Sequence, residues 1–316
     1  MEMQADARDR ARGAVVASAV GDALGSSYEF GPPLGPSVKI QFGWGVFGHD
    51  VGEWTDDTAM SIPILQVLAR GGSLADPEDL AWIVGEWTQW SMGAKDVGNQ
   101  TRAVLGCAGF PMTEEGARLA AKEVHGRSGR SGGNGSLMRT GPVALGFLGT
   151  GQEEELVAAA VRVAELTHWE SDNGSACALW CLAIRHAILT GDLDMEGQVR
   201  WLPESQRNRW ERVIGEALQP SATPEDFHRN NGWVVAAFQG ALAAVAHSAC
   251  LMDALTGAVR GGGDTDTVAA IAGSLAGAIY GQSALPKDDV ALVHVGPDMD
   301  AAGLTSLVDE VLERDY

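Results

Sequence analysis

Basic residues are scarce in this chain: Lys and Arg total 22 against 42 Asp and Glu, a formal net charge of −20. A surface of that sign repels nucleic-acid backbones and anionic membranes, which excludes a nucleic-acid-binding module and a membrane-surface protein. Cysteine is sparse as well. Cys107, Cys177, Cys181 and Cys250 form no CxxC pair and no Cys/His cluster with zinc spacing, so neither a disulfide scaffold nor a zinc site has a basis here. Cys177 and Cys181 lie four apart on one helix face and read as buried free thiols. Long apolar runs are missing too. The longest weakly polar stretch, 232–246, contains Gln239 and falls short of a bilayer span. The segment Met1–Asp6 has neither a basic nor an apolar leader region, so a cytoplasmic protein is expected. No linker rich in Pro or Ser and no sustained heptad appears, which predicts one domain over 1–316 and a monomer.

Helical periodicity fills most of the chain. Ala-rich 5–24, the capped openings at Asp76-Pro77, Thr113-Glu114 and Thr223-Pro224, and the apolar segments 153–166, 175–189, 233–247, 250–259 and 266–280 all read as helices. The segment 175–189 is apolar enough to be central. Period-2 alternation is missing except for a glycine-broken stretch, 38–46, so the chain reads as all-α. Glycine is abundant, 41 residues, and gathers in loops at 43–52, 126–135 and 261–263. Glycine lets a backbone approach a ligand closely, and three such loops predict one face built for binding.

Two acidic tetrads stand beside these loops: Thr55-Asp56-Asp57-Thr58 and Asp264-Thr265-Asp266-Thr267. Each alone reads as a helix N-cap, because Asp and Thr cap helices and suit the positive end of the helix dipole. Together they read differently. Adjacent aspartates repel unless a cation compensates, and oxygen ligands without His or Cys suit Mg²⁺ or Mn²⁺. A fold that joins the tetrads would make a two-metal centre with hydrolytic chemistry. Asp22 lies at the unfavourable end of the first helix, which points to a specific partner, and Glu29 follows in the loop. Ser131-Gly132-Gly133-Asn134-Gly135-Ser136 precedes a helix expected to start near Leu137. This loop offers N–H groups to phosphate oxygens, or it is a flexible surface loop. No Gly-Lys-Ser/Thr follows, so it is not a Walker A loop. Asp96 is a site carboxylate or a solvated residue. His168 is a functional group or a packing residue.

These segments occur together, and in this order, in one known family: the chain resembles the ADP-ribosylglycohydrolases. The matching pieces are Gly-Asp-Ala-Leu-Gly at 21–25 with Glu29, Trp-Thr-Asp-Asp-Thr at 54–58, and Asp-Val-Gly-Asn-Gln-Thr-Arg at 96–102. Further along come Gly-Asn-Gly-Ser at 133–136 with Met138-Arg139, Thr167-His168, Gly-Trp-Val-Val at 232–235 and Gly-Gly-Asp-Thr-Asp-Thr at 262–267. The resemblance implies a binuclear Mg²⁺ or Mn²⁺ site with Thr55, Asp56, Asp57, Asp264, Asp266 and Thr267 as ligands. It implies catalytic roles for Glu29 and Asp96, a diphosphate and ribose wall of Ser131, Gly132, Gly133, Asn134 and Gly135, and a place for His168 near the nucleotide. Three features depart from the family pattern. Pro63 interrupts the helix after the first tetrad, Gln100 stands where Thr is more usual, and Trp169-Glu170-Ser171 follows His168.

The implied activity is hydrolysis of the glycosidic bond between ADP-ribose and an acceptor, with ADP-ribose as product. The segment around Asp96 favours an arginine acceptor on a protein. Serine-linked, O-acyl or small-molecule ADP-ribose would use the same chemistry. A crystallin-like structural protein of this family predicts eroded tetrads, whereas all four carboxylates are present. A pure ADP-ribose-binding module differs from an enzyme only in turnover.

Overall fold

The computed structural model describes residues 4–296 and 299–314. Met1–Met3, part of the segment read for a leader, lie outside the described residues. The helices are α1 (Ala5–Gly25), α2 (Asp56–Ala69), α3 (Pro77–Ser91), α4 (Asn99–Cys107), α5 (Glu114–Ser128), α6 (Glu153–Glu165) and α7 (Ser171–Thr190). They continue with α8 (Glu204–Ala217), α9 (Val234–Ala246), α10 (Leu251–Arg260), α11 (Thr265–Tyr280), α12 (Lys287–Leu292) and α13 (Ala301–Arg314). The all-α reading therefore holds. The sheet found among the described residues is one short antiparallel pair, β1 (His294–Val295) and β2 (Met299–Asp300). The stretch 38–46 is irregular rather than extended. Pro63 sits inside α2, which continues through it. No helix among the described residues is long and apolar enough to cross a membrane.

Small residues decide which helices meet most closely. Gly13, Ala17, Gly21 and Gly25 recur every fourth residue and so form one stripe along α1. α11 answers with Asp266, Ala269, Gly273 and Gly277. A Cβ on Gly277 would lie 2.0 Å from the Gly13 carbonyl oxygen, and one on Gly21 would lie 2.3 Å from that of Ala269. The two helices run antiparallel with backbones in contact. At the end of the seam, a Cβ on Gly25 would lie 2.5 Å from the Asp266 Cα. Gly25 therefore ends α1 for a packing reason, with Ser26 as a right-handed C-cap. This seam brings the C-terminus of α1, with Asp22, to the N-terminus of α11. Behind it α7 is buried from Asn173 to Ile188 except for half-buried His186, as its apolar sequence predicts. Trp180, Trp210 and Phe238 stack edge-to-face at 5.1 Å and join α7, α8 and α9. Cys177 and Cys181 are free and buried.

Candidate active site

Asp22 caps α2 from outside the helix. Its carboxylate accepts the Thr55 N–H at 2.9 Å, the Thr58 N–H at 3.0 Å, and the Thr55 and Thr58 hydroxyls at 2.8 and 2.6 Å. Thr55 and Asp264 occupy the N-cap positions of α2 and α11, yet neither side chain makes a capping bond. The tetrads are therefore not ordinary caps. Asp22 takes over that work for α2, which leaves Asp56 and Asp57 free of it. It also answers why an acidic residue sits near the end of α1: its partner is the positive N-terminus of another helix.

The fold joins the two tetrads. One carboxylate oxygen from each of Asp22, Asp57 and Asp266 lies within 4.8 Å of the others, and the same is true of Glu29, Asp264 and Asp266. Asp266 belongs to both groups. Asp56 stands to one side, where its Oδ2 accepts the Gly98 N–H at 3.3 Å. Thr55 lies behind, its hydroxyl also 2.9 Å from Asp57 Oδ2. Glu29 is brought in by its neighbours: the Phe30 N–H donates to the Gly263 carbonyl at 2.6 Å, and the Gly263 N–H to that of Gly31 at 2.8 Å. Gly262 and Gly263 have φ of 78° and 76°, the left-handed region that favours glycine.

So many buried carboxylates cannot all ionise without positive charge. Burial, then Asp22, holds Asp57 well above the usual carboxylate range, and burial, then Asp57, does the same to Asp266. Burial, then Asp96, pushes Asp56 up to about 7, and burial, then Asp264, pushes Glu29 up to about 8. Lys95, beside the site, is paired to Glu53 at 2.6 Å instead. Asp57 Oδ1 is buried and has no hydrogen-bond partner. An orphaned carboxylate oxygen among all-oxygen donors fits a hard divalent cation.

These groups open onto a cleft of about 1120 Å³. It is lined by Glu29, Asp56, Asp96, Asp264, Asp266 and Thr267, by the loop Ser131–Gly135, and by His168. The remaining site residues from the sequence, Thr55 and Asp57, lie behind the cleft wall. The predicted helix at Leu137 does not form. The loop runs into short 3₁₀ turns at Asn134–Ser136 and Gly141–Phe147, because Pro142 has no N–H to give and Arg139 is drawn into the core. The loop is instead tied to 232–234: the Asn134 N–H donates to the Gly232 carbonyl at 3.1 Å, and the Val234 N–H to that of Gly132 at 2.8 Å.

Asn231 escaped the sequence reading, although the Asn-Gly pair at 231–232 marks a turn. Its Oδ1 accepts the Asp264 N–H at 3.0 Å, and its Nδ2 donates to the Gly262 carbonyl at 2.9 Å. Its own carbonyl accepts Asn134 Nδ2 at 2.9 Å, and the same amide nitrogen reaches Asp264 Oδ2 at 2.7 Å. One buried side chain thus aims Asp264 and anchors the glycine loop. Arg139 was legible only as part of a motif. It is buried over the Trp87 ring, 4.0 Å from its centroid, and donates to the Thr167 hydroxyl at 2.7 Å. That hydroxyl lies 2.7 Å from His168 Nδ1. Burial, then Arg139, drives His168 well below the usual imidazole range, so it is neutral at pH 7. Gln100 has a task of its own: its Nε2 donates to the Thr167 carbonyl at 3.1 Å.

Comparison with known proteins agrees with this geometry. The chain is 33% identical over 293 residues to the ADP-ribosylarginine hydrolase Tri1 of Pseudomonas putida (strain GB-1), covering 89% of this chain and 73% of that protein. It is 31% identical to the ADP-ribosyl-[dinitrogen reductase] glycohydrolase of Rhodospirillum rubrum, covering 88% of each. A solved structure described as an ADP-ribosylglycohydrolase-related protein complex superposes with a TM-score of 0.72 at 25% identity, over 99% of this chain and 100% of that one. The family model described as ADP-ribosylglycohydrolase matches residues 3–316, and the chain belongs to the ADP-ribosylglycohydrolase family of hydrolases.

Proposed function

We propose that this enzyme hydrolyses the bond between ADP-ribose and an arginine side chain of a protein. Two divalent cations, Mg²⁺ or Mn²⁺, would be held by Thr55, Asp56, Asp57, Asp264, Asp266 and Thr267. The observation that carries the reading is the orphaned Asp57 oxygen inside a buried carboxylate cluster beside a nucleotide-sized cleft. The Pseudomonas putida relative, an ADP-ribosylarginine hydrolase, supports the arginine acceptor, and the Rhodospirillum rubrum relative, an ADP-ribosyl-[dinitrogen reductase] glycohydrolase, supports a protein carrying it. The family match over 3–316 supports one functional unit along the chain.

In the reaction, water oxygen bonds to the anomeric carbon of the ribose as the carbon–nitrogen bond breaks. The bonding electron pair leaves with the guanidine nitrogen, which gains a proton, and the water loses one. Bound divalent cations supply Lewis acidity and positive charge for orienting the ribose hydroxyls and activating water. Glu29, next to Asp264 and Asp266, gives up its proton once the carboxylate cluster is compensated by cations and then faces the positive charge that develops on the sugar. Asp96 belongs to neither carboxylate group, and burial raises it above the usual aspartate range. It therefore keeps a proton to higher pH than an exposed aspartate and delivers it to the departing nitrogen. Backbone N–H groups of Ser131–Gly133 and Gly135, with that of Asn134 held by Gly232, receive the diphosphate. His168, neutral, lies on the nucleotide side as a hydrogen-bonding group without charge.

The test is time-resolved release of ADP-ribose from arginine-modified and serine-modified proteins, with Mg²⁺ or Mn²⁺ and with chelator. Cation-dependent release from arginine is expected to exceed that from serine by at least about tenfold. Release from serine alone would reassign the acceptor. Binding of ADP-ribose with no release from either would leave a binding protein.

Asn231 gives a second expectation. Asn231→Ala removes the acceptor of the Asp264 N–H and the donor to Gly262. Groups that support metal ligands alter affinity about 10- to 100-fold when removed. The cation concentration for half-maximal activity should rise by about tenfold or more, with a lower melting temperature. An unchanged cation titration would show that Asp264 is aimed by other means.

A further inference from the structure

Several of the large apolar side chains at the surface gather on one loop. Phe30, Trp44, Val46 and Phe47 are 65%, 69%, 52% and 42% exposed, and all lie between α1 and α2. The loop is firmly held. The Tyr28 hydroxyl bonds both the N–H and the carbonyl of Gln41, at 3.0 and 3.1 Å. The Val46 N–H donates to the Ser26 carbonyl at 3.2 Å, and the Gly45 N–H to that of His49 at 2.9 Å. Phe30 has a φ of 59°, a left-handed conformation unfavourable for a residue with a bulky side chain. Its ring stands edge-on to Phe47, centroids 5.9 Å apart. The fold thus fixes exposed rings and a strained backbone without gaining burial from them. Such features collect where something outside the chain makes contact.

The position says what that contact is. Phe30 follows Glu29, and Phe30 and Phe47 reach the same cleft as Asp56 and Asp96. His49 and Glu53 on this loop lie close to Lys95, and the Glu53 carboxylate already neutralises that cation. Arg260 fastens the loop through the carbonyls of Gly35 and Val38 at 2.7 and 2.6 Å and keeps its positive charge there. The stretch 30–47 carries Lys39 and no carboxylate, and the acidic groups lie in the cleft beyond it, so the patch is an apolar rim, complementary to apolar side chains of a polypeptide whose modified arginine enters the cleft. The patch is continuous with the end of the cleft where Asp96 handles the acceptor.

We infer that the aromatic loop 30–47 docks the polypeptide flanking the modified arginine, so that the enzyme is built for protein substrates over free modified guanidines. This inference rests on the arginine reading above. It is tested with the double variant Trp44→Ala/Val46→Ser, whose side chains are mostly exposed and lie outside the core. Two substrates are compared at saturating Mg²⁺: an arginine-ADP-ribosylated protein and free ADP-ribosylarginine. The variant should lose at least about tenfold in kcat/KM on the protein, as for loss of an interface anchor, and stay within about twofold on the free compound. Equal loss on both, or none on either, overturns it. So does a wild-type dimer that the double variant dissociates, which would make the patch a self-association face. Turnover of neither substrate by the wild type overturns the parent reading, and this one with it.

Discussion

Asp57→Asn is expected to raise the melting temperature of the cation-free protein while it cuts turnover about a thousandfold. Asp57 is buried beside Asp22, Asp56 and Asp266, and its Oδ1 has no partner. Its carboxyl is held well above the usual range, so in the folded state it takes up a proton more readily than in the unfolded chain. The linkage sign follows. A group whose folded pKa is raised contributes stability that is complete below the unfolded value and lost as pH rises through the folded one. For this cluster the window opens near 3.8, the ordinary aspartate value, and extends through Asp56 at about 7 and Glu29 at about 8. Cation-free wild type should therefore lose stability steadily across that range. The asparagine variant should lose less, with a gap of a few degrees at pH 8 that closes near pH 4.

Excess Mg²⁺ or Mn²⁺ should reverse the order. Ligand that binds only the folded state stabilises it by mass action, and the wild type keeps the full carboxylate set proposed to bind the cations. Turnover of the variant should fall about 10³-fold, the scale seen when one preorganised electrostatic group is removed. Thermal melts at several pH values, with chelator and with cation, check both halves. A cation-free variant less stable than wild type at pH 8 would mean that the carboxylates are not in conflict.

Gly277→Ala should give the largest loss of stability. The new Cβ would lie 2.0 Å from the Gly13 carbonyl oxygen and 2.9 Å from the Ala17 Cβ. The first obstacle is backbone, so no rotamer change relieves it and α1 must move. Overpacking of this kind costs about 3 kcal/mol, against a gain of about 1 kcal/mol in helix propensity. Gly257 on α10 provides the control, because a Cβ there meets nothing within 4 Å. Gly257→Ala should be neutral or stabilising. Urea denaturation of the two variants checks the pair, and equal stability would remove the seam as the organising contact. Gly25→Ala acts at the other end of the same seam, against the Asp266 Cα, so its loss should extend to the cation response.

Much of this protein is legible in one dimension. Helical periodicity located α6, α7, α9, α10 and α11 to within a few residues, because local propensity and apolar spacing act over a few turns. The chemical character of the site was legible too. Paired aspartates with hydroxyl neighbours and no nearby His or Cys mean oxygen donors and hard cations wherever they end up. The failures are local in another sense. Near Leu137 a helix was expected, but Arg139 is pulled inward to Trp87 and Thr167, and tertiary contacts override the propensity. The N-cap reading that the first tetrad invites when taken alone gives way because Asp22, remote in sequence, provides the cap for α2.

The sequence by itself determined that the chain is helical, acidic, and furnished with carboxylates and glycine loops suited to an anionic sugar nucleotide and its cations. Only the tertiary structure decided that Asp57 and Asp266 share one site, that Asp22 and Asn231 hold it in shape, and that Glu29 joins while Asp96 stays apart. The physical reason is distance. Propensity and capping reach a few residues along the chain, whereas the approach of α1 to α11 depends on glycines facing each other across a seam. That seam sets how closely the carboxylates crowd, and their crowding is what calls for a cation.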